Sequence, residues 1–377
     1  MPEPGSKTVP VRPITRKKSV VAVLKTSPAT VVDDYVRLME MARFTDSLPR
    51  NNHTIIKNNL SWHLMFPGAN TTPWQMEGTI KALNKHGYQY TVVQNKTVVT
   101  DAYQGQKLNK LDSVYKKYNV DVKFNFESSD MQWVSYQPKG KLLVLDKIFP
   151  DGFKIPDYFI GKNILHQPTV KCHIYTGTTG SMKNAFGGLL GTHRHYCHTH
   201  IHETLVDLLT IQKEIHPGIF TVMDGTTAGN GPGPRTMFPV IKNVILASED
   251  SVAIDAVAAK IMGFDPMSLN YIRLAHEAGL GCGRVEEMEI VGEDIRDWNW
   301  EFFVGDNMPS RAGDLFWFGP LKPLQCLMFH TPVVYIFVWA SAIYHDRVWY
   351  PTTGRSRIKE WYKTDWGRLF QECDKKF

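Results

Sequence analysis

"HTIIKNNL" (His53–Leu60), "PWQMEGTIKALNKHG" (Pro73–Gly87) and "YQYTVVQN" (Tyr88–Asn95) follow one another along the chain and decide how the rest is read. The first and third are short β-branched runs, the pattern of strands. Between them, Pro73 stands where a helix begins and Gly87 where it stops. Strand, helix, strand over this length predicts parallel neighbours joined by a crossover helix. Upstream, "SVVAVLK" (19–25) precedes "VVDDYVRLMEMARF" (31–44), whose apolar residues recur at three- and four-residue steps. Downstream, "KGKLLVLDK", "TVKCHIY", "GIFTVMDG" and "NVILAS" read as further strands. The fold expected is α/β: an open, mostly parallel sheet with helices on both faces. Ligands of such sheets sit at the carboxyl ends of the strands.

Composition agrees with a globular chain: 377 residues, 43% hydrophobic and 12% aromatic, with a formal charge of +6. Basic and acidic residues are interleaved without a basic stripe, so nucleic acid is not an expected partner. Five cysteines, at 172, 197, 282, 326 and 373, contain no C-x-x-C pair. No in-chain iron–sulfur motif is therefore encoded, and reduced thiols in a cytoplasmic protein are expected. Residues 1–18 are polar and Pro-rich with no apolar stretch after the basic residues. They are expected to be a disordered arm rather than a secretory signal. Residues 19–300 would form the α/β core, and residues 301–377 an aromatic-rich helical C-terminal extension. Within that extension, Pro323–His345 carries no Asp, Glu, Lys or Arg. Its length reaches the lower range of a membrane helix, but Pro332 interrupts it, which favours a buried or interfacial helix. Trp349 and Tyr350, followed by Arg355, Arg357 and Lys359, would suit peripheral membrane contact or a solvated tail.

The strand ends carry the chemistry. In "TVKCHIYTGTTGSMKNAFGG" (169–188), Lys183 lies between Met182 and Asn184, so it lacks the flanking residues of a phosphate-binding Walker loop. His173 falls near the end of a strand, and the turn at Gly177 and Gly180 would bring Lys183 and Asn184 back to the same crevice. An imidazole beside an amine is suited to moving protons, and a desolvated lysine can bond to a carbonyl group. "GTHRHYCHTHIHE" follows, with His193, His195, His198, His200 and His202. Helical spacing would align His195, His198 and His202, whereas strand alternation would align His198, His200 and His202. Either row could hold Ni, Zn or Fe. Asp224 ends an apolar strand before a Gly/Pro-rich loop containing Gly229 and Asn230. Asp255 sits on an apolar helix face, and Lys57 and Asn59 lie at the end of an early strand. Catalysis is expected of His173, Lys183 and Asp224; cofactor contacts of Lys57, Asn59, Gly177, Gly180, Asn184, Gly229, Asn230 and Asp255; and metal ligation of His195, His198, His200 and His202.

In this order, "IIKNNL", "TVKCHIYTGTTGSMKNAFG", "VMDGTTAGNGPGPR", "ASEDSVAIDAVAAKIMGFDP" and "AHEAGLGCG" resemble the family catalogued as domain of unknown function 362. Many members carry a ferredoxin-type cluster segment, whereas this chain lacks the clustered cysteines. More distantly, His173-x-x-x-Gly177-x-x-Gly180-x-x-Lys183 resembles a stretch of the nickel-pincer lactate racemases. That resemblance implies His173 as a base, Lys183 as a cofactor tether and one of His195, His198 or His200 as a nickel ligand. The racemases' upstream His motif is not evident; His63 in "SWHLMFPG" stands in a different context. The expected function is a metal- or cofactor-dependent enzyme for a small carboxylate or carbonyl substrate, using proton-transfer or redox chemistry. The alternative is a non-catalytic metal- or cofactor-binding protein serving a redox partner.

Overall fold

Alternation of apolar side chains along the strands builds two cores on opposite faces of one sheet. The computed structural model describes residues 18–376 apart from Lys96, Val98 and His330. The arm expected over residues 1–18 lies outside the described residues except for Lys18. The described residues form twelve strands: β1 (Val20–Lys25), β2 (Thr54–Asn58), β3 (Tyr90–Gln94), β4 (Val122–Phe124), β5 (Trp133–Tyr136), β6 (Phe153–Pro156), β7 (Asn163–Gln167), β8 (Thr169–His173), β9 (Gly177–Thr179), β10 (Ile219–Asn230), β11 (Phe238–Ser248) and β12 (Glu289–Gly292). The main sheet runs β12-β1-β11-β10-β7-β2-β3-β4, with β8 on β10 and β9 on β8, while β5 and β6 form a separate pair. Pairings from β10 through β7, β2 and β3 to β4 are parallel; β11 runs antiparallel to both β1 and β10. The sheet is thus mostly parallel, with β11 and the short β9, antiparallel to β8, reversed.

Val21, Ile55, Val93, Ile164 and Leu246 face one core, whereas Ala22, Ile56, Val92, Leu165 and Ile245 face the other. This is the period-two signature of strands covered on both sides. The first face is covered by the helices Ile201–Ile215 and Ser251–Met262, and the second by Val31–Met41 and Pro73–Lys85. The last of these starts as expected. Pro73 occupies its first turn, and Thr72 and Gln75 cap each other's backbone N–H groups.

Two expectations need correction. "KGKLLVLDK" is not a strand but a helical turn at Leu145–Ile148. The Asp207 carboxylate accepts from the N–H groups of Leu143, Val144 and Leu145 at 2.7, 2.9 and 2.9 Å, diverting them from a sheet ladder. The stretch 219–248 is a long hairpin rather than two strands around a ligand loop, because β10 continues through Gly229 and Asn230.

The C-terminal residues return to the second core. Ile358, Trp361, Trp366 and Phe370 are buried there, and Trp366 packs 5.2 Å from Trp74. Trp349 packs 5.3 Å from Phe66, and the Tyr350 hydroxyl donates to the Met65 carbonyl. These two half-buried aromatics therefore pack against the core rather than standing in a solvated tail. The charge-free run is interrupted between the helix Gln325–Phe329 and the helix Val334–Ala342, which continues directly into a π-helical stretch, Ile343–Gly354. Among the described residues, no helix is long and apolar enough to cross a membrane.

Candidate functional site

At the carboxyl ends of β2, β7 and β8 the sheet buries cations without acids. Lys171 on β8 donates from Nζ to Asn59 Oδ1, the Ala69 carbonyl and Thr169 Oγ1, at 2.6–2.8 Å. Lys57 on β2 donates to the Asn58 carbonyl at 2.7 Å. Neither lysine, nor Lys183, has a carboxylate partner among the described residues. Burial lowers Lys57 to about 7, helped by the Arg194 charge, and holds Lys171 far below its usual value. Asn184 joins the network. Its amide donates to the Lys57 carbonyl at 2.8 Å and meets His166 Nδ1 at 3.2 Å, while its Oδ1 takes the Asn59 amide at 3.3 Å. Lys57, Asn59 and Asn184, far apart in sequence, are thus brought together, with Lys171 and His166 as additional members.

His173 ends β8 beside this cluster. Its Nδ1 accepts the Tyr175 backbone N–H at 3.1 Å, which places the proton of the neutral ring on Nε2. Burial first, and then the Lys183 charge, keep His173 uncharged at neutral pH. Lys183 lies over the Phe186 ring at 5.2 Å, with its amine lowered to about 8 by burial and by Arg194. His198 has the opposite arrangement. Its Nδ1 lies 2.9 Å from the His195 carbonyl, which can only accept, so Nε2 keeps the lone pair. Burial lowers His198 to about 4. The Tyr175 ring neighbours both imidazoles, with its centroid 5.9 Å from that of His173 and 5.8 Å from that of His198.

Both imidazoles line a cavity of about 490 Å³, roofed by the stretch Asn307–His345 of the C-terminal region. Its size is in the range of small-molecule sites. Trp317 stacks on His198 at 4.9 Å and 11°, meets Tyr175 edge-on and stacks on Phe329, forming a continuous aromatic wall.

The other predicted residues take different places. Asp224 accepts from Thr72 Oγ1, Trp74 Nε1 and the Thr226 N–H and hydroxyl, at 2.6–2.9 Å. It ties β10 to the start of the helix Pro73–Lys85 rather than joining His173. Asp255 accepts from the N–H groups of Ser181 and Met182 at 2.6 and 3.1 Å, and burial raises it to about 7. Gly180 is where that carboxylate rests: a Cβ there would lie 2.0 Å from Asp255 Oδ1. Gly177 forms the β8–β9 turn with a positive φ of 76°. Gly229 lies in the β10–β11 ladder, and Asn230 Oδ1 accepts the Phe303 N–H at 2.9 Å.

The remaining histidines do not converge. His195 Nε2 is 2.9 Å from the Phe329 carbonyl, His200 is exposed, and His202 stacks on Tyr271. Among the described residues, no three His, Cys, Asp or Glu side chains assemble into a metal-binding group. The donor set does not fit the metal centre expected from the spacing.

Sequence reasoning missed Lys171, His166, Arg194 and Arg235. Arg235 closes the quoted "VMDGTTAGNGPGPR" and lines the same cavity as His173. A long cation placed beside apolar β8 and β10 residues was the available signal.

Fold and cavity together define an α/β protein with a roofed, imidazole-lined pocket at the carboxyl edge of its sheet. The family described as domain of unknown function (DUF362) matches residues 54–260, more than half of the chain, and the protein belongs to it. No curated protein and no solved structure matches. The likeness to lactate racemases rests on the His173–Lys183 spacing alone.

Proposed function

We propose that the protein is an enzyme that moves a proton at a carbon beside the carbonyl or carboxylate group of a small organic acid. One observation carries this reading: His173 and His198 line one cavity with their free ring nitrogens in opposite states. His198 Nε2 has a lone pair to accept the proton, and His173 Nε2–H can hydrogen-bond to the oxygen on which negative charge develops. An anionic substrate in the cavity raises the basicity of both rings, since a nearby negative charge favours imidazolium. Lys183 works from behind His173, helping to keep it neutral and therefore a donor through a single N–H. The experiment is exchange in D₂O with a panel of 2-oxo, 2-hydroxy and arylacetic acids, following the α-proton by NMR. His198→Gln should abolish exchange, and His173→Gln should slow it about 100-fold, the usual span of one such group. No exchange above buffer, or full exchange by His198→Gln, would sink the reading.

A second reading concerns location. Tyr335, Ile336 and Trp339 are 64–68% exposed on the helix Val334–Ala342, and no Asp, Glu, Lys or Arg interrupts 323–345. Lys322 and Arg347 flank the run. We propose that this face touches a membrane surface from the cytoplasmic side, an assignment supported by the free thiols of Cys172, Cys197, Cys282 and Cys373. Wild-type protein should float with anionic liposomes, and Trp339→Ser with Ile336→Ser should remain at the bottom of the gradient. Equal behaviour of the two would remove the proposal.

A further inference from the structure

The roofed cavity is lined by a guanidinium that the proton transfer does not use. Arg235 follows β10 on the 231–235 turn, and its Nη1 is fully buried without a hydrogen-bond partner. The guanidinium has no ion pair or hydrogen bond among the described residues. Asp346, the acid whose charge acts on Arg235, is held by other groups: Trp62 Nε1 donates to it at 2.7 Å and His63 Nε2 lies at 3.6 Å. A buried, unsatisfied charged donor is costly unless something completes it. Burial lowers Arg235 only to about 10, so it stays a cation at neutral pH.

The rest of the lining limits what can complete it. His173 and His198 are uncharged, and burial lowers His345, near Arg235, to about 3, so it is neutral too. The facing wall is aromatic, with Trp317, Phe329 and Phe337 in mutual contact at 5.0 and 5.3 Å. One fixed positive charge beside an apolar wall is balanced by one negative charge. A phosphate dianion would leave surplus charge in that enclosure.

We infer that the cavity takes a monocarboxylate with an aromatic or long alkyl body: the carboxylate on Arg235, the body along Trp317 and Phe329, and the reacting carbon between His173 and His198. The inference rests on the proposed proton transfer in the same cavity, and it names the substrate class. Arg235 binds rather than reacts; a bidentate guanidinium–carboxylate pair fixes the orientation of the acid.

The test uses the full-length protein, with 1-naphthylacetate and its neutral analogue 1-naphthylacetamide as fluorescent probes. The wild type should bind the acid at least tenfold more tightly than the amide. Arg235→Gln should reduce that preference to less than twofold while leaving amide affinity within about twofold. Trp317→Ala should weaken both probes. Equal binding of acid and amide by the wild type overturns the inference without needing any variant to fold. Retained preference in Arg235→Gln, or failure of the acid to bind, overturns it as well. The two proposals separate cleanly. α-Proton exchange of small acids without an Arg235-dependent preference defeats this inference alone, whereas preference without exchange defeats the proton-transfer reading alone.

Discussion

Gly180 shows how much one side chain's absence can hold in place. The turn Ser181–Asn184 presents two N–H groups to Asp255, and the carboxylate reaches them by occupying the space of a Gly180 side chain. Gly180→Ala must move either the carboxylate or the turn, losing charge-assisted hydrogen bonds and overpacking a closed site. We expect a loss of about 3 kcal/mol in urea-unfolding free energy, within the range for overpacking plus a broken buried bond. A loss below about 1 kcal/mol would show that the site relaxes cheaply. Asp224 teaches the same lesson in the other direction. At a strand's carboxyl end it looks like a ligand, yet Thr72, Trp74 and Thr226 consume its acceptor capacity. Strand-end position was legible in the sequence. Which carboxylates were already satisfied was not, since their partners lie as far as 152 positions away.

Among the elements, those with a period of their own were legible. The strand at 54–58, the helix at 73–85 and the strand at 90–94 fall where alternation, Pro73 and Gly87 put them. β7 was missed because it runs into β8 across Pro168, and the two read as one apolar stretch. The turn at Leu145–Ile148 was misread because its pattern of Leu and Val is that of a strand, and only Asp207 on a distant helix supplies the competing acceptor. The histidine run folds as a tight helical segment leading into Ile201–Ile215. That placement sends His195 to the Phe329 carbonyl, His198 to Trp317 and His202 to Tyr271. Spacing alone suggested shared ligation, but the rings leave the helix in different directions toward different partners.

The whole molecule buries neutral bases, and its stability should depend on pH accordingly. Burial lowers His166 and His345 to about 3, and His198 and His216 to about 4. Each folded-state value lies below the unfolded value of about 6.5, so the unfolded chain binds more protons between about pH 4 and 6.5. Stability therefore rises with pH across that window, by up to about 1.4 kcal/mol per unit for each histidine. Asp255, raised to about 7, acts in the opposite sense, because its neutral form is the one the fold favours. Four histidines outweigh it. Above neutrality, Lys57 at about 7 and Lys183 at about 8 continue the rise toward pH 10, again because the unfolded chain binds the extra proton. Urea midpoints measured from pH 5 to 9 should climb throughout; a plateau or fall between pH 5 and 6.5 would show that these rings are solvated in the fold.

By itself the sequence determined the layered α/β architecture, because period-two and period-3.6 patterns report which faces must be buried. It also determined that His173, Lys183, Asn184, Lys57 and Asn59 would gather at one edge of the sheet, because strand ends converge there. Tertiary structure alone decided what the edge offers to a ligand. The proton of His173 on Nε2 and the lone pair of His198 on Nε2 are set by backbone partners two and three residues away, and only the fold brings those two rings to one cavity. Tertiary structure also folded the C-terminal aromatics into a roof and left Arg235 Nη1 beneath it without a hydrogen-bond partner among the described residues, since cavities and orphaned charges arise only where distant segments meet.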